Sequence, residues 1–206
     1  MPQRSKFMLG AFVMNTADPL RSRRSFLLNA LAACACLACD QRTAVGAAPS
    51  ARVPSGPVTI ENFSAAGVSE GLVTVEPVIK TDAEWRRQLS PASYAVTRQS
   101  GTERPFSGEY DKESRSGLYR CICCDTALYD SRTKYDSGTG WPSFWQVLST
   151  HNVVEGEGSR SGMLGQEISC ARCAAHLGHV FADGPRPTGL RYCMNSVALR
   201  FVPRGT

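Results

Sequence analysis

The sequence predicts a mainly β protein: an antiparallel β-sheet domain with short helices at its start and a structural metal site. Three observations predict it. Beyond Gln99 the chain breaks into short segments that alternate or are rich in β-formers: Gly117–Cys121, Gln146–Leu148, Gln166–Cys170, His179–Phe181 and Arg191–Val202. Gly, Ser, Asp and Pro clusters separate them, as turns separate strands. Ahead of them stand two helix-start signals, and between them lie two Cys-x-x-Cys pairs.

The elements follow in order. Residues 1–47 hold six of the 23 Lys/Arg and two of the 18 Asp/Glu, leaving 17 and 16 in the remainder. A body so near neutrality lacks the basic footprint of a polyanion binder, so no nucleic acid is expected as a partner. The basic excess belongs to Ser22-Arg23-Arg24-Ser25-Phe26-Leu27 and the apolar run to about Ala38. That run is shorter than the roughly 20 residues a spanning helix needs. Basic residues, a brief apolar stretch and then small residues make a secretory signal peptide, and the paired arginines resemble a twin-arginine export signal. An exported, periplasmic location is expected, or a cytoplasmic one if the leader does not function. Leu31-Ala32-Ala33-Cys34 resembles a lipoprotein box that would give a lipid anchor; Val45-Gly46-Ala47 would suit an ordinary signal peptidase. Residues 48–80, rich in Ala, Pro, Gly, Ser and Val, read as a linker with at most one edge segment.

The folded domain is expected over residues 81–206. Thr81 with Glu84 makes a capping box, in which hydroxyl and carboxylate each satisfy a free amide of the first turn. Trp85 and Leu89 share a face of that helix. Ser90-Pro91 starts a second helix, since proline at the first helical position sacrifices no needed donor, and Tyr94 packs from it. In the last segment, period-two alternation puts Cys193, Asn195, Val197, Leu199 and Phe201 on one side. The three apolar residues mark that side as core, with Cys193 and Asn195 where core meets a cleft.

Cys121, Cys124, Cys170 and Cys173 offer four thiolates in two pairs separated by 45 residues. This is the donor set of a closed structural Zn2+ site, one ion per chain. Redox-active disulfides are the alternative reading of the same pairs. Neither pair is followed by His, which excludes c-type haem attachment. Cys123 is spare. Cys193 has no cysteine near it in sequence and is the candidate nucleophile. Arg191, two residues before it, would favour its thiolate. His176 and His179, without a carboxylate or further His beside them in sequence, suit proton transfer better than metal binding.

Ser90-Pro91 with Tyr94, Gly101-Thr102-Glu103-Arg104-Pro105-Phe106-Ser107-Gly108, Gly138-Thr139-Gly140-Trp141-Pro142-Ser143-Phe144, His176-Leu177-Gly178-His179-Val180-Phe181, Asp183-Gly184-Pro185 and Arg191-Tyr192-Cys193-Met194-Asn195-Ser196 run in order. Together with the cysteine pairs they resemble the B-type peptide methionine sulfoxide reductases over about residues 81–203. The resemblance implies a fold of two sheets and reduction of methionine-R-sulfoxide in oxidised proteins or peptides. It implies attack by Cys193, a sulfenic acid intermediate and a thioredoxin-like or other thiol reductant. It places Asn195 in the site and Trp141 as the apolar wall against the substrate methyl group. It gives Thr102, Glu103 and Arg104 no physical role. Many members carry a resolving cysteine where this chain has Thr139, so resolution falls to Cys123, a leader cysteine or an external thiol. A monomer is expected. A thiol–disulfide oxidoreductase and a non-catalytic zinc-binding module are the rival readings.

Overall fold

The computed structural model describes residues 53–204. The leader reading, with its cleavage points and Cys34, Cys36 and Cys39, lies outside these residues.

Eleven strands and two α-helices form the described body: β1 Val58–Phe63, β2 Ser69–Val75, α1 Asp82–Gln88, α2 Pro91–Gln99, β3 Gly117–Cys121, β4 Ala127–Asp130, β5 Lys134–Tyr135, β6 Ser143–Phe144, β7 Val153–Gly158, β8 Gln166–Cys170, β9 His176–Phe181, β10 Arg191–Met194 and β11 Leu199–Pro203. They make a hairpin β1-β2, a six-stranded sheet β5-β6-β10-β9-β8-β7 and a three-stranded sheet β11-β3-β4. Every pairing is antiparallel. The mainly β expectation therefore holds, with both helices ahead of the two larger sheets in chain order.

The helices form where their caps dictate. Thr81 accepts from the Glu84 amide while the Glu84 carboxylate takes the Thr81 amide, and Ser90 caps the Pro91 helix by accepting from Ser93. Trp85, Leu89 and Tyr94 are buried. Arg98 lies over the Trp85 ring and donates to the Cys173 carbonyl at 2.9 Å, tying the helices to the β8-β9 turn.

The two larger sheets enclose an aromatic core. Tyr129 of β4 stacks on Phe144 of β6 at 4.4 Å, Tyr119 of β3 meets Phe144 edge-on at 4.9 Å, and the Tyr129 hydroxyl donates to Met194 Sδ at 3.0 Å. Such offset and edge contacts suit the ring quadrupoles and add to the area buried. This core fixes the inner face of β10, where Tyr192 and Met194 are buried, so Arg191 and Cys193 face outward.

Three expectations are corrected. Within the stretch read as a linker, β1 and β2 form a hairpin docked on the body, where at most one edge segment was expected. Asn152, fully buried, accepts from the Glu61 amide at 2.8 Å and donates to the Glu61 and Ala127 carbonyls at 2.9 and 2.7 Å. Ile60 is buried and the Val78 amide donates to the Arg172 carbonyl. Arg191–Val202 is not one strand: β10 stops at Met194, Asn195 begins a 3-10 turn over Ser196–Ala198, and β11 continues in the other sheet. Alternation cannot run through that turn, so the face of Cys193 is the cleft side of β10 and not the core side. Gln146–Leu148 is no strand; the short strand of this region is β6, two residues earlier.

Candidate active site and metal centre

The metal centre is built by two turns of the same kind. The β3-β4 turn carries Cys121 and Cys124, and the β8-β9 turn carries Cys170 and Cys173. In each, the amide four residues after the first cysteine donates to that cysteine's carbonyl at 2.9 Å: Asp125 to Cys121, Ala174 to Cys170. Asp125 and Ala174 both adopt left-handed φ, 65° and 54°, which reverses the chain just after the second cysteine. The four Sγ atoms all lie within 4.8 Å of one another, with Cys121–Cys173 at 3.7 Å and Cys124–Cys170 at 3.5 Å. Tetrahedral zinc with thiolate bonds near 2.3 Å requires sulfur separations of about 3.8 Å. The donor set fits zinc. All four sulfurs converge on one point, as a single tetrahedral ion requires and two separate disulfides would not. Cys123 packs buried beside this cluster and does not line the cleft described next.

Strand register assembles the other site. Cys193 pairs with His179 of β9 on one side and Ser143 of β6 on the other. Ser143 pairs with Tyr135 of β5, and His179 with Glu167 of β8. Directly opposed residues of antiparallel strands put their side chains on the same face, about 5 Å apart. Tyr135, Ser143, Cys193, His179 and Glu167 thus form one row across five strands. Gly178 permits it: a Cβ there would collide with the Cys193 carbonyl and the Met194 backbone.

Above Cys193 lies a cleft of about 280 Å³ lined by Thr102, Trp141, Met163, Leu164, Gly178, His179, Phe181, Cys193, Met194 and Asn195. Trp141 is held by its indole N–H, which donates to the Glu103 carbonyl at 3.1 Å. Asn195 spends its amide on the backbone, accepting from the Glu103 N–H at 2.9 Å and donating to the Leu177 carbonyl at 3.1 Å. The Glu103 carboxylate in turn accepts from the Ser196 and Val197 amides at 2.7 and 3.1 Å. Glu103, a marker without a role in the sequence, is therefore the clamp that locks the loop carrying Trp141 to the turn carrying Asn195.

The two histidines differ. His179 lines the cleft, and burial, followed by the field of His176, lowers its pKa, so its ring is neutral at pH 7. His176 is almost fully buried, edge-on to His179 at 5.2 Å between ring centroids, and does not line the cleft. Its Nδ1 lies 2.7 Å from Glu167 Oε1, and its buried Nε2 has no hydrogen-bond partner. A carboxylate does accompany the pair, then, brought from 9 residues upstream by register. The arrangement orients one imidazole through Nδ1 and leaves a single nitrogen for proton exchange.

Burial dominates the Cys193 thiol and raises its pKa above the ordinary cysteine value. Contact with Thr139, the charge of Arg191 and contact with Ser143 pull the other way. The thiolate expected from Arg191 alone is not the resting state. Asp183 takes the Arg191 guanidinium in a two-point bond at 2.9 and 2.8 Å, and the guanidinium stacks on Phe181, so much of its charge is spent before reaching sulfur. Thr139 Oγ1 stands 3.8 Å from Cys193 Sγ and joins Ser137 and Ser143 in a chain of hydroxyls at 2.8 and 2.7 Å. Ser143 and Glu167 carried no distance signal in sequence, because only the folded register brings them to Cys193 or His176; Thr139 did, through the resemblance that puts it at the place of a resolving cysteine.

A cleft-facing thiol, two linked imidazoles and an apolar wall, over sheets joined at a four-cysteine cluster that fits zinc, make a candidate site for thiol chemistry. The SelR domain model matches residues 89–203, and the chain belongs to that family. It is 55% identical over 130 residues to the peptide methionine sulfoxide reductase MsrB of Pseudomonas putida (strain W619), covering 63% of this chain and 98% of that protein. It is 58% identical over 125 residues to the peptide methionine sulfoxide reductase MsrB of Pseudomonas syringae pv. syringae (strain B728a), covering 61% of this chain and 95% of that protein.

Proposed function

We infer that the chain reduces methionine-R-sulfoxide in proteins and peptides to methionine, as an oxidoreductase that repairs oxidative damage. The observation that carries this reading is the row in which His179 and Ser143 flank Cys193 under Trp141. The sulfoxide methyl group packs on Trp141 while its oxygen faces His179. Cys193 sulfur attacks the sulfoxide sulfur, and the S–O bond breaks as oxygen moves to the cysteine. One thiol and one sulfoxide give one sulfenic acid and one thioether. The neutral His179 N–H hydrogen-bonds the oxygen as it gains charge, and His176, oriented by Glu167, supports that proton balance. Arg191 tempers the cost of forming the thiolate, and Asn195 holds the cleft wall.

Two equivalents of an external thiol, thioredoxin-like or small, then return the sulfenic acid to thiol and release water. Among the described residues no second cysteine lines the cleft: four belong to the metal cluster and Cys123 is buried beside it. Zinc bound at Cys121, Cys124, Cys170 and Cys173 supplies structure and takes no part in the chemistry. The twin-arginine-like leader supports export of the metal-loaded domain to the periplasm and a role in the oxidative stress response there, as a monomer.

Turnover of separated R and S sulfoxide epimers of a blocked methionine with dithiothreitol tests the assignment. Reduction of the R epimer, abolished by Cys193→Ser, is expected. Reduction of S alone, or of neither, discards it. One zinc per chain, lost in Cys170→Ser, is expected from the metal reading, and two redox-active disulfides without zinc would replace it.

A further inference from the structure

The described residues hold two methionines, and the fold treats them oppositely. Met194 has no exposed surface, and its Sδ accepts from the Tyr129 hydroxyl. Met163 is 97% exposed. It sits in the connection between β7 and β8, beside Leu164, which is also exposed. Both line the cleft that contains Cys193. The connection is pinned at its base rather than at its tip. Arg160 makes a two-point bond to Glu155, its carbonyl accepts from the Ala182 amide, and the Gly162 amide donates to Ser159. Gly158 and Gly165, at φ 109° and 74°, close the two ends where other side chains would be strained. A thioether so exposed is the described sulfur most open to dissolved oxidant, and it is already at the mouth of the site that reduces its oxidation product.

We propose that Met163 is an internal substrate: a peroxide oxidises it and Cys193 of the same chain repairs it. Hydrogen peroxide transfers one oxygen atom to Met163 Sδ and leaves as water. The Met163 sulfoxide then passes that oxygen to Cys193, which becomes a sulfenic acid as the thioether is restored. Two external thiols reduce the sulfenic acid and release a second water. The inference rests on the reductase reading of the same cleft. It gives the exposed rim methionine a function that an exposed leucine in its place would not have.

The test is peptide mass spectrometry on the full chain after brief peroxide treatment, removal of peroxide and addition of dithiothreitol. Trypsin releases Ser161–Arg172, in which Met163 is the one methionine, and Tyr192–Arg200, which reports Met194. Peroxide oxidises without stereocontrol while the site takes one epimer, so the oxidised fraction of Met163 falls by about half and then stops. The fall follows first-order kinetics whose rate does not change on dilution, and it is absent in Cys193→Ser. The same preparation is given a blocked methionine R-sulfoxide. If that compound is reduced while the Met163 sulfoxide persists, or if repair slows on dilution, internal repair is overturned and the reductase reading stands. If neither is reduced, the reductase reading falls and takes the inference with it.

Discussion

Cys193 sits between opposing influences, and its titration is where they can be weighed. Burial disfavours the thiolate, and Thr139, Arg191 and Ser143 favour it without cancelling the shift. The reactive form is the anion, so kcat/KM should climb from neutral into alkaline pH rather than level off near pH 7. Removing the guanidinium in Arg191→Met takes away a stabiliser of the anion. The rising limb then moves to higher pH, and a pH profile of the two proteins checks the direction. Thr139→Cys supplies a sulfur where Oγ1 now stands 3.8 Å from Cys193. After one turnover without added thiol, that variant should hold a disulfide between the introduced sulfur and Cys193, read as two lost free thiols, whereas the parent should hold a sulfenic acid. At this scale the rare residues were legible. Cys193 is solitary, Trp141 sits among turn residues, and the metal ligands are spaced in pairs. Glu167 and Ser143 were not, because a glutamate or a serine is ordinary until pairing with His179 or Cys193 gives it a neighbour.

Local signals located the elements well where a side chain meets its own backbone, as in the Thr81 and Ser90 caps. They failed where distant pairing decides. The β1-β2 hairpin lies in a stretch rich in turn formers, and nothing in its composition announces that Asn152, 91 residues on, anchors it. The alternation from Cys193 to Phe201 crosses two sheets, and its apparent continuity hides the turn that Glu103 holds. Glu103→Gln weakens two charge-assisted bonds at that turn and should cost about 1–2 kcal/mol, measured by denaturant unfolding. Since the same residue carries Trp141 and Asn195, R-sulfoxide turnover should fall more than stability does. Gly178→Ala drives a methyl group into the β10 backbone at Cys193 and Met194. The strands must part, at a cost of at least about 2 kcal/mol and with most activity lost.

The metal site joins the two larger sheets of the described body. Cys121 and Cys124 belong to the turn of the three-stranded sheet, Cys170 and Cys173 to a turn of the six-stranded one. Binding at such a site is folding free energy, on the order of 10 kcal/mol for structural zinc. Chelation, or Cys124→Ser, should therefore collapse the cooperative thermal transition and expose the Tyr129–Phe144 core, seen as loss of near-ultraviolet dichroism. The two-sheet plan was legible as a family resemblance, and the joint as paired cysteines. Which sheet each pair would belong to was not, because that depends on long-range strand pairing. The sulfur atoms also differ in depth: Met163 is 97% exposed, Cys193 and Cys124 are half-buried, and Cys121, Cys170 and Cys173 are at 1%. Rising oxidant accordingly spends itself from the outside inwards. It meets first the rim methionine, next the cleft thiol together with Cys124, the shallowest sulfur of the joint, and last the three sulfurs beneath.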